Sequence, residues 1–176
     1  MAAVVASLAA AMAAIAMTAG DPEDELKSVA VLSFLRYSDW PQTADGAVTV
    51  GVVGRPAFAQ VLGRTLEGKS VANRPLHLAE ITATTDPSCC QLIYVATAKS
   101  GEMRQVLANA RGAHTLTIGE SDRFLEAGGA VSLFFVDGHI GFEASLEALD
   151  RAGITVSSNL LRLGQIRGLN KGRPVK

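Results

Sequence analysis

The chain has 176 residues, enough for one domain with a sizeable core, and its 48% hydrophobic and 19% charged content is that of a folding sequence. Sixteen basic residues stand against seventeen acidic ones, and aromatics reach only 5%. That near-neutral balance gives no nucleic-acid footprint, and few rings are present to stack bases.

Met1 to Gly20 carries no charged side chain and is mostly Ala, Val, Leu, Ile and Met. Its length and its small-residue sites, Ala14-Ile15-Ala16 closest to A-x-A, predict a signal peptide over 1–20 and an exported, periplasmic domain. No Lys or Arg precedes the apolar run. An uncleaved anchor or an Ala-rich cytosolic helix are the alternatives, and alanine is only weakly apolar for a membrane span.

Asp21-Pro22-Glu23-Asp24-Glu25 is a helix start. Asp21 suits the N-cap and Pro22 the first turn, and the acids complement the positive end of the dipole. The predicted helix runs to about Asp39, with Leu26, Val29, Ala30, Phe34 and Tyr37 at helical spacing, and Trp40-Pro41 stops it. Val48, Val50 and Val52 alternate as a strand. Pro56 to Leu66 is a helix, and Arg74 to Ile81 is a strand. The apolar run Gln91 to Ala96 is a strand buried on both faces. A helix follows over Ser100 to Ala110, a strand over Thr115 to Ile118, and a short helix from Ser121 through Ala127. Asp137-Gly138 between Ala130–Val136 and His139–Phe142 marks a hairpin. Ala144 to Arg151 forms a helix closed by Gly153, Ile154 to Val156 a strand, and Asn159 to Ile166 the last helix. The alternation predicts an α/β layered fold with a mainly parallel sheet and an antiparallel edge hairpin over 21–168, followed by a basic tail over 169–176.

Gly63 to Ser70 (GRTLEGKS) matches the phosphate-binding P-loop by letter. That loop works when a strand delivers it and a helix starts right after Lys-Ser, aiming N–H groups at the phosphates. Here a helix precedes, a strand follows, and Pro75 bars a helix from Lys69. The reading is a helix C-cap at Gly68 with a solvated Lys69. His77, His114 and His139 show no metal-ligand spacing, and no G-x-S-x-G elbow occurs. No catalytic, metal or cofactor residue is therefore assigned.

Three candidate sites remain. Cys89 and Cys90 are the only cysteines. Their adjacency allows only a strained, easily reduced ring, so they form a candidate redox pair, or else a core residue (Cys90) and a loop cap (Cys89). Gly54 and Arg55 join a strand to a helix, where open α/β sheets bind anions, and Arg55 suits a carboxylate or phosphate. Leu160, Leu161, Leu163 and Ile166 cluster ahead of the basic tail as a candidate partner-docking face.

Taken in order, these residues resemble the YfiR family. Its Lys-containing helix ending in Trp-Pro is matched by Lys27, Phe34, Tyr37, Trp40 and Pro41, and its glycine turn by Gly54, Pro56 and Phe58. Gly68, Lys69, Val71, Arg74, Pro75 and Leu76 match a family turn, and Cys90 matches the cysteine entering a central strand. Phe124, Gly128-Gly129, Asp137-Gly138, Phe142-Glu143, Ala152-Gly153, Ser157-Ser158, Leu160-Leu161 and Leu163 complete the likeness. It implies a non-catalytic periplasmic α/β regulator, with no cofactor. The implied partner is an inner-membrane diguanylate cyclase, bound at its periplasmic sensor region and repressed, which lowers cyclic di-GMP and biofilm formation. A periplasmic small-ligand or anion sensor is the alternative, and a homodimer is left open. The distant cysteine that would pair with Cys90 in a family disulfide is absent, and Ala144 and Ser145 replace the usual Ile-Asn after the hairpin.

Overall fold

The computed structural model describes residues 21–40 and 46–167. The expected signal peptide, Pro41 and the basic tail lie outside the described residues. The fold is mixed α/β, as the alternation of elements predicts.

Helix α1 (Pro22–Arg36) begins as expected, with Asp21 accepting 3.0 Å from the Glu23 amide. It ends three residues early, because Ser38–Asp39 (β1) pairs antiparallel with Thr155–Val156 (β9) as a small separate sheet. Strand β2 (Val48–Val53) leads through a tight turn into α2 (Pro56–Leu66). Next come β3 (Ser70–Val71), β4 (Arg74–Ile81), β5 (Leu92–Val95), α3 (Ser100–Asn109) and β6 (Leu116–Gly119). The hairpin β7 (Val131–Val136) and β8 (His139–Ser145) turns at Asp137-Gly138, whose φ values of 52° and 78° suit the twist of a two-residue turn. Helices α4 (Leu146–Ala152) and α5 (Ser158–Leu161) and strand β10 (Gln165–Arg167) complete the fold.

The main sheet runs β10-β8-β7-β6-β5-β2-β4-β3. Strands β4, β2, β5, β6 and β7 are parallel, and β8 is antiparallel to β7. The chain leaves β2 for β4 on one side and returns to β5 on the other, so the winding reverses between β2 and β5. Because side chains alternate along a strand, β5 sends Leu92 and Tyr94 to one face and Ile93 and Val95 to the other. The first face packs under α1, α2 and α4, with Phe34, Phe58, Leu62 and Leu149. The second packs under α3, with Met103, Val106 and Leu107. Each fully buried side chain of this size contributes about 1.5–3 kcal/mol by leaving water.

Two predicted elements are corrected. Residues 121–127 form successive turns rather than a helix, with the Phe124 amide bonded to Ser121 O at 2.8 Å and the Gly129 amide to Phe124 O at 2.9 Å. This path drives the Phe124 ring between Gly119 and Gly129, where an added Cβ would meet the ring at 2.4 and 2.2 Å. The expected last helix over Asn159–Ile166 stops at Leu161, and the chain becomes strand β10, with Ile166 opposite Ala144. An unpaired edge on β8 offers a row of backbone groups that β10 satisfies. The crossing at Gly164 is close, since a Cβ there would sit 2.2 Å from the Phe142 ring.

Candidate functional surfaces

The spacing of Leu26, Val29, Ala30 and Tyr37 suggests an inward face for α1, but the structure turns most of it outward. Leu26, Val29 and Tyr37 are exposed, whereas Asp24, Lys27 and Ser28 are buried. Phe34, from the same predicted stripe, is buried as expected. The polar residues go inward because charged partners meet them there.

Arg55 Nη2 donates to both Asp24 carboxylate oxygens at 2.8 and 2.7 Å, and Nη1 lies 3.5 Å from Glu120 Oε1. Lys27 bonds Glu120 and reaches Glu23 at 2.5 Å, and the buried Tyr94 hydroxyl donates to Glu120 Oε1 at 2.7 Å. Beneath them Phe58 and Tyr94 stack at 4.3 Å, with the Arg55 guanidinium 5.9 Å from the Phe58 ring centre. Burial alone would lower the Lys27 and Arg55 pKa values. The adjoining carboxylates, Glu120 and Glu23 for Lys27 and chiefly Asp24 for Arg55, outweigh it and raise both. Burial, then Glu120, pushes the Tyr94 phenol up. The network thus links α1 to the carboxyl ends of β2, β5 and β6. Sequence reasoning found Arg55 but missed Asp24, Lys27 and Glu120. The signal was there in Asp24, Lys27 and Ser28, polar residues at i, i+3 and i+4 on one face of the helix.

Gly54 has a backbone role. Its φ is +77°, and a Cβ would approach Ala96 O at 3.2 Å, so the β2–α2 turn can press against the chain leaving β5. Arg55 follows at φ +38°.

The outward stripe of α1 meets the hairpin and α5. Leu26, Val29, Ala30 and Phe34 from α1, Ile140 and Phe142 from β8, and Leu160 and Leu163 line an apolar groove of about 320 Å³. Leu163 is 78% exposed and Val29 54%. Of the four residues predicted to dock a partner, Leu160 and Leu163 line this groove. Leu161 is half-buried against the core, and Ile166 belongs to the edge strand instead of the helix. The tip of β7 adds exposed Phe134, Phe135 and Val136.

Cys89 ends a 3₁₀ turn and is exposed, while Cys90 is buried beneath Gly51, with the two Sγ atoms 2.7 Å apart. Burial, then the neighbouring Cys89 sulfur, pushes the Cys90 thiol well above its ordinary pKa.

The P-loop-like segment has the wrong polarity for phosphate. Helix α2 ends at Leu66, Gly68 turns at φ +66°, and the Lys69 amine bonds back to the Thr65 carbonyl, beside the negative end of the dipole. His114 Nδ1 lies 2.9 Å from Ala152 O and His139 Nδ1 2.8 Å from Asp137 O. Among the described residues no group of three or more His, Cys, Asp or Glu is placed to hold a metal, and no helix is long and apolar enough to cross a membrane.

The fold is an open α/β domain with helices on both faces of a mainly parallel sheet, an architecture in which ligands bind beyond the carboxyl ends of the strands. The chain belongs to the YfiR/HmsC-like family, whose model matches residues 24–165. A conserved domain protein from Vibrio cholerae O1 biovar El Tor str. N16961 has a similar solved fold, with a TM-score of 0.56 at 14% identity. The match covers 81% of this chain and 59% of that one, so this chain spans well under two thirds of its neighbour's length. An ABC domain in complex with L-Trp from Streptococcus pneumoniae matches at a TM-score of 0.46 and 10% identity, over 68% of this chain and 55% of that one.

Proposed function

We propose that this chain is a periplasmic, non-catalytic regulator that binds and represses an inner-membrane signalling protein, a diguanylate cyclase, and so limits cyclic di-GMP and biofilm formation. Membership of the YfiR/HmsC-like family supports the class of function. The observation that carries the mode of action is the apolar groove between α1, the hairpin and α5, with Leu26, Val29 and Leu163 turned to solvent. Contiguous exposed apolar surface of this kind is costly to leave wet and is a common signature of a protein-binding face.

The test uses the chain and the purified periplasmic region of an inner-membrane diguanylate cyclase from the same cell. Deleting the gene raises cellular cyclic di-GMP, and wild-type protein restores it. Leu26→Asp with Leu163→Asp fails to restore it and weakens binding at least tenfold, although the variant melts within a few degrees of wild type, since both sites are exposed. Full repression by that folded variant rules out the groove. Retention of the wild-type chain in the cytosolic fraction rules out the periplasmic role.

A further inference from the structure

A second surface lies where the sheet winding reverses. The carboxyl ends of β2, β5 and β6 open onto a cleft of about 480 Å³. Arg55 reaches it from the β2–α2 turn, Thr97 from the β5–α3 loop, Ser100 from the start of α3, and Glu120 and Arg123 from beyond the end of β6, over a floor that includes Val95 and Met103. A concave site with an apolar floor and a few convergent polar groups is the usual form of a small-molecule pocket, and this is the place where open α/β sheets hold ligands.

The hydrogen-bonding inventory selects the ligand. Both Glu120 oxygens are occupied, one by Tyr94 and one by Lys27, so this acid has little left to offer. Arg55 spends Nη2 on Asp24, while Nη1 has only the 3.5 Å approach to Glu120. Arg123 has no ion-pair partner among the described residues. At the start of α3 the Thr97 hydroxyl accepts from the Lys99 amide at 3.2 Å and donates to Glu102, while among the described residues no side chain bonds the amides of Ser100 and Gly101. The cleft therefore presents spare donors from three strand ends, and what complements them is a small acceptor-rich anion. Asp122 also lines the cleft, without an ion-pair partner among the described residues, and opposes highly charged polyanions.

We infer that this cleft binds a small organic oxyanion, a carboxylate or phosphate ester, with Arg123 and the first turn of α3 taking the charged group and Arg55 fixing its orientation. The site is separate from the docking groove, and the inference stands whether or not the groove holds a cyclase.

Calorimetry and thermal melts of the purified chain with sodium succinate, and separately with inorganic phosphate, test it, with sodium chloride at matched ionic strength as control. Saturable binding of at least one probe is expected. Succinate alone would assign a carboxylate, and phosphate alone a phosphate ester. Arg123→Gln and Ser100→Asp each weaken binding at least tenfold. Ser100→Asp leaves the unliganded melting temperature equal or higher, because an acid suits a helix start. Asp122→Asn tightens binding severalfold. Binding of neither probe, an equal response to chloride, or undiminished affinity in the folded Arg123→Gln and Ser100→Asp proteins overturns the proposal.

Discussion

Asp24, in the first turn of α1, holds the Arg55 guanidinium through both carboxylate oxygens at 2.7 and 2.8 Å, thirty-one positions away in the chain. Asp24 is 4% exposed, so the carboxylate is seated in the packing between α1 and α2 while the arginine keeps one edge towards solvent. This pair ties the N-terminal helix to the turn that forms one wall of the switch-point cleft. Asp24→Asn keeps the shape and removes the charge. The expected loss is about 2 kcal/mol, less than for a fully buried pair because Arg55 can turn to water. Urea unfolding reads it as a lower midpoint at unchanged slope. An unchanged midpoint would mean that the pair does not hold α1 in place.

Lys27 gives a pH signature. Its pKa is raised in the folded protein above the ordinary 10.5, because the hydrogen bonds and charges of Glu120 and Glu23 outweigh the cost of burial. A raised folded pKa adds stability that is fully present below the unfolded value and lost as pH rises through the folded one. Lys27→Met, which takes a charged partner from Glu120 and Glu23, should cost about 2 kcal/mol at pH 7. The gap between variant and wild type should then narrow only above about pH 10.5. Paired urea titrations from pH 7 to 11 measure it, and a gap that stays constant across that range contradicts the assignment.

The two cysteines should respond separately. Cys89 is exposed, whereas burial keeps the Cys90 thiol protonated at neutral pH. Iodoacetamide at pH 8 should alkylate Cys89 in the folded protein and reach Cys90 only after unfolding, as peptide mass spectrometry would show. We propose that the pair is redox-responsive, with the facing Sγ atoms 2.7 Å apart as support. Two-electron oxidation by a small disulfide such as oxidised glutathione would join the two sulfurs and pass their two protons and two electrons to the oxidant, whose S–S bond breaks to give two thiols. A mass loss of two hydrogens that blocks alkylation at Cys89 supports this, and persistent alkylation after oxidant treatment defeats it.

Much of the architecture was legible in the residues. Pro56 to Leu66 and Arg74 to Ile81 form the predicted helix and strand with the predicted bounds, since Pro at a helix start and alternating side chains are local signals. The Asp137-Gly138 turn was equally local, both residues standing at positive φ where that dipeptide is favoured. The reversed order of helix and strand around Gly63 to Ser70 was enough to set the P-loop resemblance aside, and the structure places Lys69 on a helix carbonyl.

What escaped the sequence depended on partners far along the chain. Apolar spacing alone made Leu26, Val29 and Tyr37 look like an inner face. The energy of placing Asp24 and Lys27 against Arg55 and Glu120 rotates the helix the other way and leaves that stripe as the wall of a groove. Asn159 to Ile166 reads as a helix in isolation, yet the open edge of β8 draws the segment after Gly164 into a strand, while Leu160 and Leu163 line the groove. The sequence by itself determined the order of helices and strands, the turns and the buried strands, because those follow from backbone preferences and side-chain period over a few residues. The tertiary structure alone decided which face of α1 is wet, that the segment after Gly164 becomes a strand, and that β2, β5 and β6 together frame a cleft. Charge pairing and edge pairing act between residues that become neighbours only after the chain has folded.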